Sequence, residues 1–309
     1  MRAFRIAASY TTMATQLVHI PEIERLSPAV IRILGGNPSK FALQGTNTYL
    51  IGTGPKRLLI DTGEGKPSWI AALKKTLEEE KASIQIALLT HWHHDHTGGV
   101  GQLLEHSPQT AIFKNQPAEG QLDIADGQKF EVEGATLTAV HTPGHTVDHM
   151  AFILQEEDAL FTGDNVLGQG TSVFEDLGTY LQSLAKMEKL VDGRGYPAHG
   201  PVLPRARATI AEYIAHRRQR EQQVLQTLGS AQDRHRLWTP MDLVKVIYRD
   251  VPEALHVPAA NGVVQILRKL RDEGRVVLED GDAWRLSNTN DTTSSSENNN
   301  SNSKDRSSL

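Results

Sequence analysis

The stretch "LLTHWHHDHTGG", residues 88–99, sets four histidines and one aspartate into six positions directly after an apolar run. That run, "IQIALLT" (84–90), reads as a buried β-strand delivering the chain into His91. A strand end is rigid, and alternate residues on an extended segment point the same way. His91 and His93 can therefore face one point, while Asp95 and His96 turn toward a neighbouring one. Imidazole and carboxylate suit a zinc ion, and catalytic zinc sites keep a position open for water. The plainer reading is a polar loop whose histidines face solvent. Six positions alone leave an ion short of ligands, so the rest of the chain decides.

Three other segments offer partners. "HTPGHTVDHM" (141–150) follows a predicted strand at 136–140 and sets His145 after a Pro-Gly turn. "ALFTGDNVLG" (159–168) ends a strand on Asp164, and "RGYPAHGPV" (194–202) ends another on His199. Each puts a metal-ligating residue type at the end of an apolar strand, beside a residue that permits a tight turn. Strand ends gathered on one sheet edge are where α/β folds build sites. The surrounding pattern agrees: strands at 46–52, 57–61, 150–154 and 158–162 alternate with helical stretches at 67–80, 97–106 and 176–190, as in a layered α/β domain.

From Pro204 the pattern changes. "RARATIAEYIAHRRQREQQVLQTL" is one long helical run, and in "TPMDLVKVIYRDV" Thr239 and Asp242 stand at capping-box spacing. "NGVVQILRKLRDEG" is an amphipathic helix ended by Gly274, and "RVVLEDGDAWRL" is a hairpin turning at Asp280-Gly281. Helix, helix, hairpin is the outline of a winged helix, at about residues 230–286. The boundaries expected are an N-terminal extension (1–24), a layered α/β domain (25–203), a helical, winged-helix-like domain (204–286) and a disordered Ser/Asn-rich tail (287–309).

The ordered set His-x-His-x-Asp-His, a "TPGHT" histidine, a "TGD" aspartate and a late "HG" histidine resembles the metallo-β-lactamase superfamily over residues 46–200, with "IDTGEG" (60–65) as its early Asp-bearing strand end. The resemblance implies an α/β fold, an αββα sandwich, holding two zinc ions per chain. It assigns His91, His93 and His145 to one ion and Asp95, His96 and His199 to the second, with Asp164 bridging. Two such cations acidify a water, which attacks a carbonyl carbon or a phosphorus, and Asp95 combines ligation with handling the water's proton. Asp61 would support a ligand histidine from behind. His94 falls out of phase and should face solvent, and Trp92 should pack behind the loop. His149 is open between a supporting role and a plain strand position, and His141 between exposure and function.

The wider set "LGGNPSKFALQGTNTYLIGTGPKRLLIDTGEGKPSWI" (34–70), "PGHTVDHM" and "GQGTSVFEDLGTYLQSL" is similar to two groups, over about residues 25–286. One is the fungal atrochrysone carboxyl carrier-protein thioesterases, which release aromatic polyketides from non-reducing synthases. The other is the lactamase-like endoribonucleases of mitochondria. Asn165, where such ribonucleases usually carry Cys or another residue, favours the thioesterases. The partner expected is then the acyl carrier protein domain of a polyketide synthase, with nucleic acid a partner only under the ribonuclease alternative.

A formal net charge of -5 gives no global attraction to polyanions, so nucleic-acid binding would need a local basic patch. Arg217, Arg218 and Arg220 make such a knot on the long helix; its usual explanation is a solvated face, and it is also the candidate landing surface for an acidic carrier. The absence of cysteine excludes disulfides, Cys-rich zinc sites, thiol chemistry and the lactamases that ligate through cysteine. No stretch approaches the ~20 apolar residues of a membrane helix, so no membrane partner is expected. Arg2, Arg5 and the acid-free start could belong to a mitochondrial presequence, against a disordered extension or a true start at Met13; a cytoplasmic location is the default.

Overall fold

The computed structural model describes residues 17–230, 236–279 and 281–288. Most of the expected N-terminal extension and tail, and the hairpin residue Asp280, lie outside these. The described residues form two compact units: residues up to Glu175 with Ser183–Ile210, and Asp176–Gln182 with residues from Ala211 on.

The first unit begins with strands β1 (Ile23–Arg25), β2 (Val30–Leu34), β3 (Asn47–Ile51) and β4 (Lys56–Ile60), helix α1 (Pro67–Glu79) and strand β5 (Ser83–Leu89). Short helices α2 (His94–Thr97) and α3 (Val100–His106) lead to β6 (Ala111–Lys114). These six strands form one sheet in sequence order, antiparallel through β4 and parallel from β4 to β6. Strands β7 (Lys129–Val132), β8 (Ala135–His141), β9 (Met150–Leu154) and β10 (Ala159–Gly163), helix α4 (Leu177–Met187) and strand β11 (Gly195–Pro197) follow, and the second sheet runs β11-β10-β9-β8-β7.

Period-two alternation divides the core. Tyr49, Ile51, Leu58, Ile60 and Leu88 face inward and share one cluster with Leu137, Phe152, Leu154 and Phe161 of the second sheet. Their neighbours Leu50, Leu59, Ala87 and Leu89 face the other way, against Trp69, Leu73 and Leu77 of α1 and Leu103 of α3. The end of α4 covers part of the second sheet's side: Leu184 and Met187 are buried, and Ser183 Oγ donates to Pro143 O at 2.6 Å. The layers are those of an αββα sandwich.

The second unit takes in helix α5 (Ala206–Leu228) from Ala211 on, then α6 (Pro240–Ile247), α7 (His256–Asp272) and the hairpin β12 (Val276–Glu279) and β13 (Ala283–Leu286). Thr239 and Asp242 close a reciprocal capping box at the start of α6. Leu243, Val263, Leu267 and Leu270 are buried, and Trp238 bridges to Trp284 of the hairpin, completing the winged-helix outline. The arginine knot is not one open face. Arg217 lies over the Tyr180 ring and Arg220 over the Tyr248 ring at 4.7 Å, while Arg218 is exposed.

Candidate metal centre

All seven residues singled out from the sequence meet where strand ends of the two sheets converge. β5 ends at Leu89, the chain bends at Trp92, and α2 begins at His94. The turn of helix, rather than strand alternation, swings Asp95 and His96 to the neighbouring point. His91, His93, His145 and Asp164 form one group of potential ligands, and Asp95, His96 and His199 a second.

In the first group, His91 Nε2 lies 2.9 Å from His93 Nδ1, and His145 Nε2 lies 3.2 and 3.1 Å from these two. Donors held ~2.0–2.1 Å from a tetrahedral zinc stand about 3.3 Å apart, so the spacing fits one ion. Asp164 faces both groups: Oδ2 is 3.5 Å from His145 Nε2, and Oδ1 is 3.6 and 3.3 Å from His96 and His199 Nε2. Asp95 Oδ2 lies 3.5 and 3.3 Å from the same two histidines. Buried His96 Nε2 and Asp164 Oδ1 have no hydrogen-bond partner, an arrangement that is costly unless a cation sits between them. The donor set fits two metal ions.

The far side of each ring is fixed. Asp61, held at the left-handed φ of 59°, accepts from Thr90 N at 2.8 Å, from Thr90 Oγ1 at 2.9 Å and from His96 Nδ1 at 2.8 Å. Because Thr90 spends its proton on Asp61, its oxygen accepts from His91 Nδ1 at 3.0 Å, leaving His91 Nε2 free to ligate. One carboxylate thus orients a histidine of each group. His145 Nδ1 donates to Val173 O at 2.8 Å. His149 is fully buried; its Nε2 accepts from Asp164 N, so Nδ1 carries the proton and donates to Thr142 Oγ1 at 2.9 Å. It holds the backbone that carries Asp164. Gly163 before it has φ 51°, and a Cβ there would meet His149 Nε2 at 2.4 Å.

The two groups differ in charge. Burial, then the nearby charge of His96, holds His91 well below its ordinary value, and burial with His145 lowers His93, so both rings favour the neutral form that can ligate a metal. In the second group burial opposes charging, but carboxylates outweigh it. Asp61, Asp164 and Asp95 raise His96, and Asp164 with Asp95 pushes His199 up to about 10. Asp95 mirrors this: burial would raise it, yet the hydrogen bond to His199 and the charges of His96 and His199 bring it to about 2.

His94 is exposed, as its phase suggested. Trp92 is not packed behind the loop. It is 52% exposed with its ring edge-on to His93, at a bend that turns the chain toward α2. His141 is partly exposed, its Nε2 donating to Val147 O. Sequence reasoning missed Thr90, whose only signal was its place directly before the cluster. It also missed the Lys114–Asp148 ion pair, whose members lie 34 residues apart. The site opens into a cavity of about 370 Å³ whose walls include Phe41, Leu43, Leu167 and Val173.

A buried His/Asp cluster split between two ion positions, at the strand ends of an αββα sandwich, defines a metal-dependent hydrolase. The chain belongs to the metallo-beta-lactamase superfamily, whose family pattern matches residues 42–199, and residues 239–284 match the beta-lactamase associated winged helix domain. Over 274 residues it is 47% identical to an atrochrysone carboxyl ACP thioesterase of Aspergillus chevalieri, covering 87% of this chain and 89% of that protein. It is 48% identical over 275 residues to the lactamase-like protein adaB of Aspergillus niger, covering 85% and 86%. Among solved structures, a beta-lactamase domain protein from Burkholderia ambifaria superposes with a TM-score of 0.73 at 18% identity, over 86% of this chain and 93% of that one. A metallo-beta-lactamase family protein from Thermus thermophilus gives 0.66 at 23% identity, over 85% and 100%. Among the described residues no helix is long and apolar enough to cross a membrane.

Proposed function

We propose that this protein is a zinc-dependent thioesterase that releases an aromatic polyketide, of the atrochrysone carboxylate type, from the acyl carrier protein domain of a non-reducing polyketide synthase. The observation that carries the reading is the convergence of seven donors, five of which line a cavity that also holds Leu43, Leu167 and Val173, in a chain nearly half identical to a protein named for that reaction. His91, His93 and His145 would hold one zinc and Asp95, His96 and His199 the other, with Asp164 between them. Bound there, the pair would supply Lewis acidity and an acidified water.

The chain's own groups do the rest. Asp95 is 29% exposed, borders the cavity and is anchored by His199, so its carboxylate can take the proton of the attacking water and return it to sulfur. A thiolate leaves without a strong acid, so no further proton donor is required. Asp61 and His149 keep the ligands from turning, which preserves the geometry that proximity catalysis depends on.

The test is to offer the zinc-loaded protein an aromatic acyl-carrier thioester and a single-stranded RNA in parallel. Release of free acid is the expected result. Ready cleavage of RNA with the carrier left acylated would overturn the reading in favour of an endoribonuclease.

A further inference from the structure

Two openings meet at Asp95. The cavity of about 370 Å³ is lined by His93, Asp95, His145, Asp164 and His199, and by Leu43, Leu167 and Val173. A second opening, of about 570 Å³, passes Ser39, Glu64 and Lys66. Phe41 and Asp95 line both. The two differ in balance: the first sets the aliphatic Leu43, Leu167 and Val173 among the polar Lys40, Gln169, Thr171 and Ser172, while the second has no aliphatic side chain larger than those of Pro38 and Ala42 and presents a hydroxyl, a carboxylate and an ammonium group.

Phe41 stands on the ridge between them, 74% exposed, although packing gives no reason to display an aromatic ring there. Its loop is tied down. Asn37 Nδ2 donates to Thr46 Oγ1 at 3.0 Å and Asn37 Oδ1 accepts from Thr46 N at 2.9 Å, closing the loop's base. Ser39 Oγ accepts from Ala42 N at 2.9 Å, and Leu43 turns the chain at φ 54°. A ring held out on a tied loop is a pre-formed contact surface.

A carrier-bound thioester is divided in the same way. On the carbonyl side lies a flat, apolar acyl group; on the sulfur side lies a polar arm of amides. We propose that the substrate lies across Asp95, its acyl group in the Leu43/Leu167/Val173 cavity and its pantetheine arm in the Ser39/Glu64/Lys66 opening, with Phe41 against the reacting centre. This rests on the thioesterase reading above. Apolar walls gain by covering an apolar acyl group, and amides keep their hydrogen bonds over polar ones. Water oxygen bonds to the carbonyl carbon, the C–S bond breaks and the water's proton reaches sulfur through Asp95. Free acid is left in one opening and thiol in the other.

Four small thioesters separate the arms: naphthoyl and butyryl groups, each on N-acetylcysteamine and on pantetheine, given to the zinc-loaded full chain. Lys66→Trp fills the polar opening. Lys66 is the N-cap of α1 but makes no side-chain cap bond, so the helix does not depend on it. Val173→Asp makes the apolar wall polar while keeping the backbone carbonyl that accepts from His145. Lys66→Trp is expected to raise KM for pantetheine over N-acetylcysteamine thioesters about tenfold, the scale of one or two lost hydrogen bonds, with the naphthoyl preference kept. Val173→Asp is expected to cut the naphthoyl-over-butyryl preference about tenfold with the leaving-group ratio kept. Should either variant melt early, Glu64→Trp and Leu167→Asn make the same comparison. Effects that exchange places, or that move both ratios alike, overturn this inference alone. If the wild-type protein hydrolyses none of the four, the thioesterase reading falls and this inference falls with it.

Discussion

Replacing either member of the Lys114–Asp148 pair should be among the most damaging single changes outside the metal-facing residues. The pair joins the end of the edge strand β6 to the 142–149 segment that carries His145, and its side chains are 8% and 2% exposed. Removing one partner from a buried ion pair costs ~3–5 kcal/mol, because the other charge stays desolvated. Asp148→Leu leaves the ammonium group two carbonyls, Asn115 O at 2.8 Å and Gln116 O at 3.1 Å, which places it near the lower end, about 3 kcal/mol. Lys114→Met leaves Asp148 with the Thr146 hydroxyl at 2.7 Å, which places it higher, about 4 kcal/mol. The double variant Lys114→Met/Asp148→Leu removes both charges together and should cost less than either single change. Guanidinium unfolding, followed through buried Trp69 with EDTA present so that metal binding adds nothing, gives the cycle. The single variants should also bind zinc more weakly, through the displaced His145. Single costs below about 1 kcal/mol, or a double variant as costly as the sum, would refute the assignment of a buried, desolvated pair.

Elemental analysis after purification without chelator should find about two zinc ions per chain, and His145→Ala should lose one of them together with activity. Gly99→Ala should destabilise the first unit by about 3 kcal/mol or more, read by thermal unfolding, since a Cβ there would meet Thr62 O at 2.0 Å. Thr239→Ala removes the capping box of α6 and should cost about 1 kcal/mol in the second unit's unfolding. Zinc loading of the second group should release protons and tighten as pH rises from about 6 to 8. In the metal-free protein carboxylates hold His199 at about 10 and raise His96, so protons compete with the ion below those values; pH-independent loading would contradict this.

How much of this was legible in the sequence depended on whether a feature was local. The run Ile84–Thr90 shows as a strand because it is apolar on both faces, and β5 lies inside a sheet covered on both sides. In the second unit α6 shows because it carries its own capping box and α7 because of its apolar period; even so α7 begins at His256, five residues ahead of the expected start, through a Pro258 that the first turn of a helix tolerates. The strands that did not show are β1, β2, β6 and β7. β1, β6 and β7 are edge strands of three or four residues, too short to display a period, and β2 lies beyond the Pro-bearing turn that follows β1. They exist because a neighbouring strand supplies hydrogen bonds, which no window of sequence contains.

The site divides along the same line. Seven potential ligands could be read because the chemistry requires particular side chains at strand ends, and each strand end carries its own turn signal. What aims them could not. Thr90, Asp61 and His96 become a relay only when β4 and β5 pair in parallel with Ile60 beside Leu88, bringing Asp61 level with Thr90. His149 acquires its task only when β10 pairs with β9 and lays Asp164 N over its ring. The potential ligands are therefore the part of this centre that a sequence announces, and their orientation is a property of the two sheets. A variant such as Asp61→Asn, which leaves every ligand in place, should accordingly weaken both ions at once: the amide cannot accept as a carboxylate does from Thr90 and His96 together. Titration with a chromophoric chelator would then show two weakened sites. Loss confined to the site of His96 would mean that Thr90 orients His91 unaided.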